Sequence, residues 1–99
     1  MPRLQELIAR LDSLPDDETI YAAEASPTAP AVVAHEPEDG STPRAAIGLE
    51  YLLEVARAKE AVDVWSAWRN GAAPTLDDKL AAVIHYATND SFLPVDTAR

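Results

Sequence analysis

The apolar residues between Leu49 and Trp68 change face partway along the segment, and this change most constrains the fold. At about 100° per residue, Leu49, Leu53 and Ala56 would share one side of a helix. Trp65 and Trp68 would lie on roughly the opposite side. A straight helix cannot bury both sides against one sheet, so a single helix across the whole segment is disfavoured.

The conflict disappears if residues 47–55 form a strand, because apolar and acidic side chains then alternate along it. A helix would begin near Arg57 and end at Asn70-Gly71, where Gly71 suits the left-handed conformation that often ends a helix. Alanine and glutamate in residues 47–55 favour a helix by intrinsic propensity. The phase therefore favours a strand, and a helix stays the alternative.

The first third of the chain predicts a helix followed by a hairpin. Apolar residues recur at helical spacing over residues 2–14, and Pro15 prevents the helix from continuing. Residues 19–23 and 31–35 are rich in residues typical of strands. The short, proline-bearing link between them predicts an antiparallel pair.

The clearest helix follows Pro74. Thr75 is a suitable N-cap, and Asp78 lies where a capping partner would reach back to it. We expect the helix to end near residues 89–90, with Phe92 folding back onto the core. The predicted buried stripe consists of Leu76, Leu80, Val83, Ile84 and Ala87.

These elements predict one α+β domain over residues 1–99, in the order α-β-β-β-α-α. A small antiparallel sheet of about three strands would have helices packed on one face. The hydrophobic fraction is 47%, but nineteen of these residues are alanine and only twenty-eight are larger. The core should therefore be thin, and a homodimer that shares it is one way to enlarge it.

Negative charge is concentrated in the front half of the chain. Between Leu11 and Pro43 there is no lysine or arginine, and these residues supply most of the net charge of −9. The eight carboxylates of this run are Asp12, Asp16, Asp17, Glu18, Glu24, Glu36, Glu38 and Asp39. Such a surface repels nucleic acid, and the eight basic residues of the chain do not cluster into a phosphate-binding patch.

Two interpretations of the acidic run stay open. It is either a solvated surface that maintains solubility, or a docking surface that steers a basic protein partner. Trp65 and Trp68 are equally ambiguous, since a thin core needs large side chains and tryptophan is also common in interfaces. If the docking interpretation holds, the candidate residues are Asp16, Asp17, Glu18, Glu36, Glu38 and Asp39, with Trp68 as an apolar anchor.

Motifs for chemistry are absent from the sequence. There is no cysteine, no glycine-rich phosphate loop and no nucleophile motif, so we expect neither an enzyme nor a cofactor. His35 and His85, with neighbouring carboxylates, leave a metal or small-molecule site as an alternative. No apolar run approaches a membrane span, and the N-terminus becomes amphipathic at once, so we expect a cytoplasmic protein that does not enter the membrane.

The C-terminal third carries a resemblance. Its residues 65–71, 74–75 and 82–92 resemble the tail of a group of small uncharacterised bacterial acidic proteins. The matching positions of that tail are Tyr86, Asn89, Asp90 and Phe92, and Leu14-Pro15 followed by Ile20-Tyr21 is similar to how such proteins begin. The resemblance covers roughly half of the chain. It implies a stand-alone α+β domain of the immunity or accessory type, and it transfers no functional residues.

The leading hypothesis is a small acidic, non-enzymatic protein that neutralises or regulates a basic protein, as an immunity protein, antitoxin or phage-type inhibitor does. The alternatives are an accessory homodimer whose charge only maintains solubility, and a small-molecule or metal-binding domain. In the three hypotheses the acidic residues contact a basic protein, only solvent, or a bound metal or small molecule. The sequence does not decide among these.

Overall fold

A short helix, three strands and two longer helices follow one another in the computed structural model, which describes residues 1–95. The last four residues of the predicted domain, 96–99, lie outside the described part. The elements are α1 (Leu4–Ala9), β1 (Thr19–Ala22), β2 (Ala31–Ala34), β3 (Glu50–Glu54), α2 (Val55–Ala67) and α3 (Leu76–Asn89). Single 3-10 turns occupy Leu11–Ser13 and Arg44–Ala46. The predicted α+β fold and its element order are confirmed.

The strands form one antiparallel sheet in the order β2-β1-β3. Thr19 in β1 is opposite Ala34 in β2 and Glu54 in β3, so the start of β1 meets the ends of both neighbours. A bulge between Ile20 and Tyr21 shifts the register with β3. The helical alternative for residues 47–55 is therefore wrong, because Glu50–Glu54 pairs with β1 and leaves α2 to begin directly at Val55.

The helices pack on one face of the sheet, where the buried core lies. Ile20, Ala22, Ala31 and Leu53 point from the strands into this core. The helical turns contribute the remaining members of the cluster, which are Leu4, Leu7, Ile8, Leu11, Val55, Ala58, Leu80 and Val83, with Leu14 beside them. Five of these nine residues are leucine, which supplies bulk to an otherwise alanine-rich chain.

The other face of the sheet is covered by the connection between β2 and β3. This connection leaves one edge of the sheet and returns at the opposite edge, and its 3-10 turn contacts β2. Ala46 in that turn is fully buried, and Tyr21 on the same face is only 3% exposed. The central strand β1 is therefore buried on both faces along its whole length.

Three details differ from the sequence-based expectations. The first helix ends at Ala9 and continues only as a 3-10 turn. Leu76 is 40% exposed because it is the first residue of α3 and lies beyond the turns that contact the core. The second helix ends at Ala67, and Asn70 as well as Gly71 adopts a positive φ, with Gly71 N–H donating to the Ser66 carbonyl at 2.8 Å.

Candidate functional site

The register of the hairpin brings the two acidic segments of the sequence to the same end of the sheet. Residues 16–18 precede β1, residues 35–39 follow β2, and the Thr19–Ala34 pair holds the two segments side by side. Glu54, the last residue of β3, is opposite Thr19 on the other side. We call this surface the acidic end, and its carboxylates are Asp16, Asp17, Glu18, Glu36, Glu38, Asp39 and Glu54.

One carboxylate of the acidic end is already paired within the chain. Lys59 Nζ in α2 lies 2.5 Å from Asp16 Oδ1 and also donates to the Leu14 carbonyl at 2.8 Å. The pair joins residues 43 positions apart and connects the loop before β1 to α2. Asp16 therefore offers less uncompensated charge to a partner than its neighbours do.

His35 is a second basic side chain, besides Lys59, that lies among the carboxylates of the acidic end. Its Nε2 atom lies 3.8 Å from Glu18 Oε1 and 4.0 Å from Asp17 Oδ2. Both distances are at the outer limit for an ion pair, and the imidazole is two-thirds exposed. Pairs of this kind contribute little to stability. The contacts with His35 therefore leave most of the negative charge of Asp17 and Glu18 uncompensated.

The loop after β2 carries the remaining charges into solvent. Glu36, Glu38 and Asp39 are all exposed. The Ser41 backbone N–H donates to Asp39 Oδ1 at 2.9 Å, and this hydrogen bond lowers the pKa of Asp39 below its usual value. Because hydrogen bonding to the ionised form stabilises it, Asp39 stays charged at any pH near neutrality.

Trp68 is not part of the acidic end. It follows the last residue of α2, whereas Glu54 precedes the first, so the thirteen-residue helix separates them by about 20 Å. Its indole is 51% exposed and touches Phe92 edge-on, with ring centroids 6.0 Å apart. Trp65 is half-buried beneath the Arg69 guanidinium. Neither tryptophan belongs to the buried core, so the core interpretation is wrong for both.

A groove of about 510 Å³ lies between β3 and the C-terminal end of α3. It is lined by Tyr51, Leu52, Leu53, Glu54, Arg57, Tyr86, Ala87 and Asp90. The Arg57 guanidinium is 6.0 Å from the centre of the Tyr86 ring and pairs with Glu60, whose hydrogen bond raises the pKa of Arg57. The sequence does not predict this groove. Its two walls, β3 and the end of α3, are far apart in the sequence and become neighbours only through the strand order β2-β1-β3.

Tyr51 in the wall of the groove contacts Tyr21 of the central strand. The rings of Tyr21 and Tyr51 are perpendicular, with centroids 6.0 Å apart. Burial raises the pKa of both phenols, and the carboxylate of Glu36 raises them further, together with Glu54 in the case of Tyr51. Both phenols therefore stay protonated at neutral pH. The Tyr21 hydroxyl is buried and has no hydrogen-bond partner among the described residues.

Within residues 1–95, no group of three or more histidine and acidic side chains is arranged to hold a metal ion. His35 lies at the acidic end, whereas the half-buried His85 lies within α3, where its Nδ1 is 3.4 Å from Asn89 Nδ2. None of the helices in this part of the chain has the length and apolarity that crossing a membrane requires.

Comparison of the chain with protein-family models finds no match, and comparison with curated proteins and with solved structures finds none either.

Proposed function

We propose that this chain is a small acidic binding protein of the immunity, antitoxin or inhibitor type. It would dock onto a basic protein in the cytoplasm and neutralise or regulate that protein without performing chemistry itself. The acidic end would be the docking surface. Trp68, which lies at the far end of α2, would contact only a partner long enough to extend along that helix.

The observation that carries this proposal is the β1–β2 register. It gathers acidic residues that are far apart in sequence onto one end of the sheet. The basic side chains that lie near them are Lys59, which is paired with Asp16, and His35, which is at the outer limit of pairing with Asp17 and Glu18. Charges collected on one surface produce a stronger local potential than the same charges scattered over the molecule. Such a potential steers a basic partner and raises its association rate.

The fixed position of these charges adds to the argument. The Val55 N–H donates to the Glu18 carbonyl at 2.9 Å, and Lys59 fastens the neighbouring loop through Leu14. The backbone before β1 is therefore held against α2. A docking surface that is ordered before it binds loses less conformational entropy on association than a flexible tail does.

The experiment that tests the proposal is affinity capture from the lysate of the native host, with mass spectrometry of the retained proteins. Three baits are compared: the wild type, an acidic-end variant and a matched variant that loses the same number of charges elsewhere. The acidic-end variant carries Asp17→Asn, Glu36→Gln and Glu38→Gln. The matched variant carries Glu24→Gln, Asp63→Asn and Asp77→Asn, all at exposed positions.

We expect the wild type and the matched variant to retain the same basic protein at low salt and to release it at high salt. The acidic-end variant should fail to retain it at either salt concentration. Equal retention by all three baits, or no basic protein on any of them, contradicts the proposal.

A second candidate function is favoured by the exposure of large apolar side chains. Trp68 is 51% exposed and Ile47 is 72% exposed, and an accessory homodimer would cover such residues. Light scattering combined with Trp68→Ser tests this candidate. A dimeric wild type that becomes monomeric on substitution would support it, and a wild type that is monomeric at high concentration would exclude it.

A further inference from the structure

The two outer strands of the sheet differ in how their free edges are treated. The start of the β2 edge is covered by the N-terminal segment, because the Ala31 N–H donates to the Pro2 carbonyl at 2.9 Å and Arg3 bridges to Pro30. No backbone hydrogen bond from the rest of residues 1–95 reaches the outer edge of β3. Edge strands of this kind are templates for a further strand.

The groove beside β3 gives this edge room for an incoming chain. Four consecutive residues, 51–54, form one wall of the groove, and Tyr86, Ala87 and Asp90 form the opposite wall. The groove therefore runs beside the edge that would supply the hydrogen bonds. Tyr51 is 50% exposed on the Tyr21 face of the sheet, and Tyr86 is half-buried on the helix face. The two rings therefore offer apolar surface to opposite faces of a bound strand.

The charges along the edge discriminate between possible occupants. The strand β3 begins with Glu50 and ends with Glu54, and Asp90 lies across the groove. The nearby cation, Arg57, is already paired with Glu60. Lysine or arginine side chains on an added strand would thus meet carboxylates at both ends of the pairing.

A second copy of this chain fits the same edge poorly. The bulge places Glu54 on the face of Thr19 and Glu50 on the opposite face, with Ala22, so each face of the edge carries one glutamate. A second copy along this edge would bring its own Glu50 and Glu54 to a strand that already carries both, and two copies that each carry a net charge of −9 repel one another. A basic strand meets attraction from the same glutamates.

From this geometry we infer that the free edge of β3 is a strand-addition site for an extended basic segment of a protein, with alternating basic and apolar residues. Main-chain hydrogen bonds to β3 would hold the segment, and the groove would take its apolar side chains. This site shares Glu54 with the acidic end but does not use the loops at residues 16–18 and 35–39. The inference stands whether or not those loops bind a partner.

Nuclear magnetic resonance with a defined peptide tests the inference. The probe is a peptide of about seven residues that alternates lysine and valine and has blocked ends, which is long enough to pair along the five residues of β3. Two control peptides replace lysine with glutamate, or carry N-methyl groups that remove every second backbone donor. Titration follows the backbone amide signals of the whole chain and the ring signals of Tyr51 and Tyr86.

We expect the lysine peptide to shift the signals of residues 50–54 and both rings, and to slow hydrogen exchange of the unpaired β3 amides by roughly tenfold or more. The glutamate and N-methyl peptides should bind at least about tenfold more weakly. Glu50→Lys combined with Glu54→Lys should weaken binding of the lysine peptide by a similar factor. The matched pair Glu24→Lys and Asp63→Lys should leave the affinity within about twofold.

Four results would overturn the inference. The lysine peptide leaves the β3 signals unchanged at millimolar concentration, or it shifts only residues 16–18 and 36–39. The N-methyl peptide binds as tightly as its parent, which excludes backbone pairing. The β3 signals shift with protein concentration in the absence of peptide, which assigns the edge to a second copy of this chain. All four results come from the wild-type protein and do not depend on the variants.

Discussion

Replacing Tyr21 with phenylalanine should stabilise the protein, although Tyr21 is a buried residue in the central strand. Its side chain is 3% exposed and its hydroxyl has no partner among the described residues. A buried hydroxyl without a hydrogen bond costs about 1–3 kcal/mol relative to a satisfied one. Tyr21→Phe removes that cost and keeps the ring, including its edge-on contact with Tyr51.

We expect the free energy of unfolding to rise by about 1 kcal/mol, the lower end of that range. For a domain of this size the melting temperature should increase by roughly 4–8 °C. Urea denaturation followed by tryptophan fluorescence measures the change directly. The control is Tyr51→Phe, whose ring is half exposed and whose effect should stay within about 0.5 kcal/mol.

The pH dependence provides an independent check on the same hydroxyl. Burial raises the pKa of Tyr21 in the folded state above its ordinary value of 10.0. Below pH 10 the phenol is protonated in both states, and the gain from Tyr21→Phe is constant. Above pH 10 the unfolded wild type releases the proton before the folded state does, so the wild type loses stability.

The advantage of Tyr21→Phe should therefore widen as pH rises through and beyond 10. A lower urea midpoint for Tyr21→Phe at pH 7 would refute the reasoning, because it would mean that the hydroxyl makes a favourable interaction in the folded state. An advantage that stays constant to pH 11 would contradict the account of the raised pKa.

Three further substitutions test the elements that hold the fold. Thr75→Ala removes the hydroxyl that accepts from the α3 backbone at 3.2 Å, and it should lower the free energy of unfolding by about 1 kcal/mol in thermal denaturation. Lys59→Met keeps the apolar stem but loses the hydrogen bonds to Leu14 and Asp16. It should lower the free energy of unfolding by about 1.5 kcal/mol in urea denaturation, and Lys79→Met is the matched control. Asp90→Gly should raise the free energy of unfolding by about 0.5–1 kcal/mol, as measured by calorimetry. It relieves a left-handed φ of 54° and removes a negative charge from the negative end of the α3 dipole.

The element types were predictable because each depends on neighbouring residues. Pro15 follows the 3-10 turn in which the first helical region ends, and Thr75 caps α3 with the reciprocal cap that the sequence predicts. The change of apolar phase after Leu49 predicts β3 against the helical propensity of its residues. In each case a local pattern and the packing of the whole chain favour the same structure, so the sequence is informative.

The contacts between distant segments were not predictable. The strand order β2-β1-β3 makes β3 an edge, and only this order brings its residues beside Tyr86 to form the groove. The Asp16–Lys59 pair joins positions 43 residues apart and changes which acidic residues are free to bind. The sequence-based hypothesis places Trp68 in the same docking surface as the acidic residues, but the length of α2 separates them. Such placements depend on chain topology, which a single sequence leaves undetermined.

The most direct test of the acidic end is the association rate of the captured basic protein, measured at several salt concentrations. Wild type, acidic-end variant and matched variant are compared under the same conditions. The account predicts a steep fall with salt for the wild type and the matched variant. At low salt the acidic-end variant should associate at least about tenfold more slowly and show a flatter dependence on salt. Identical rates and slopes for all three proteins would contradict the claim that the acidic end steers the partner.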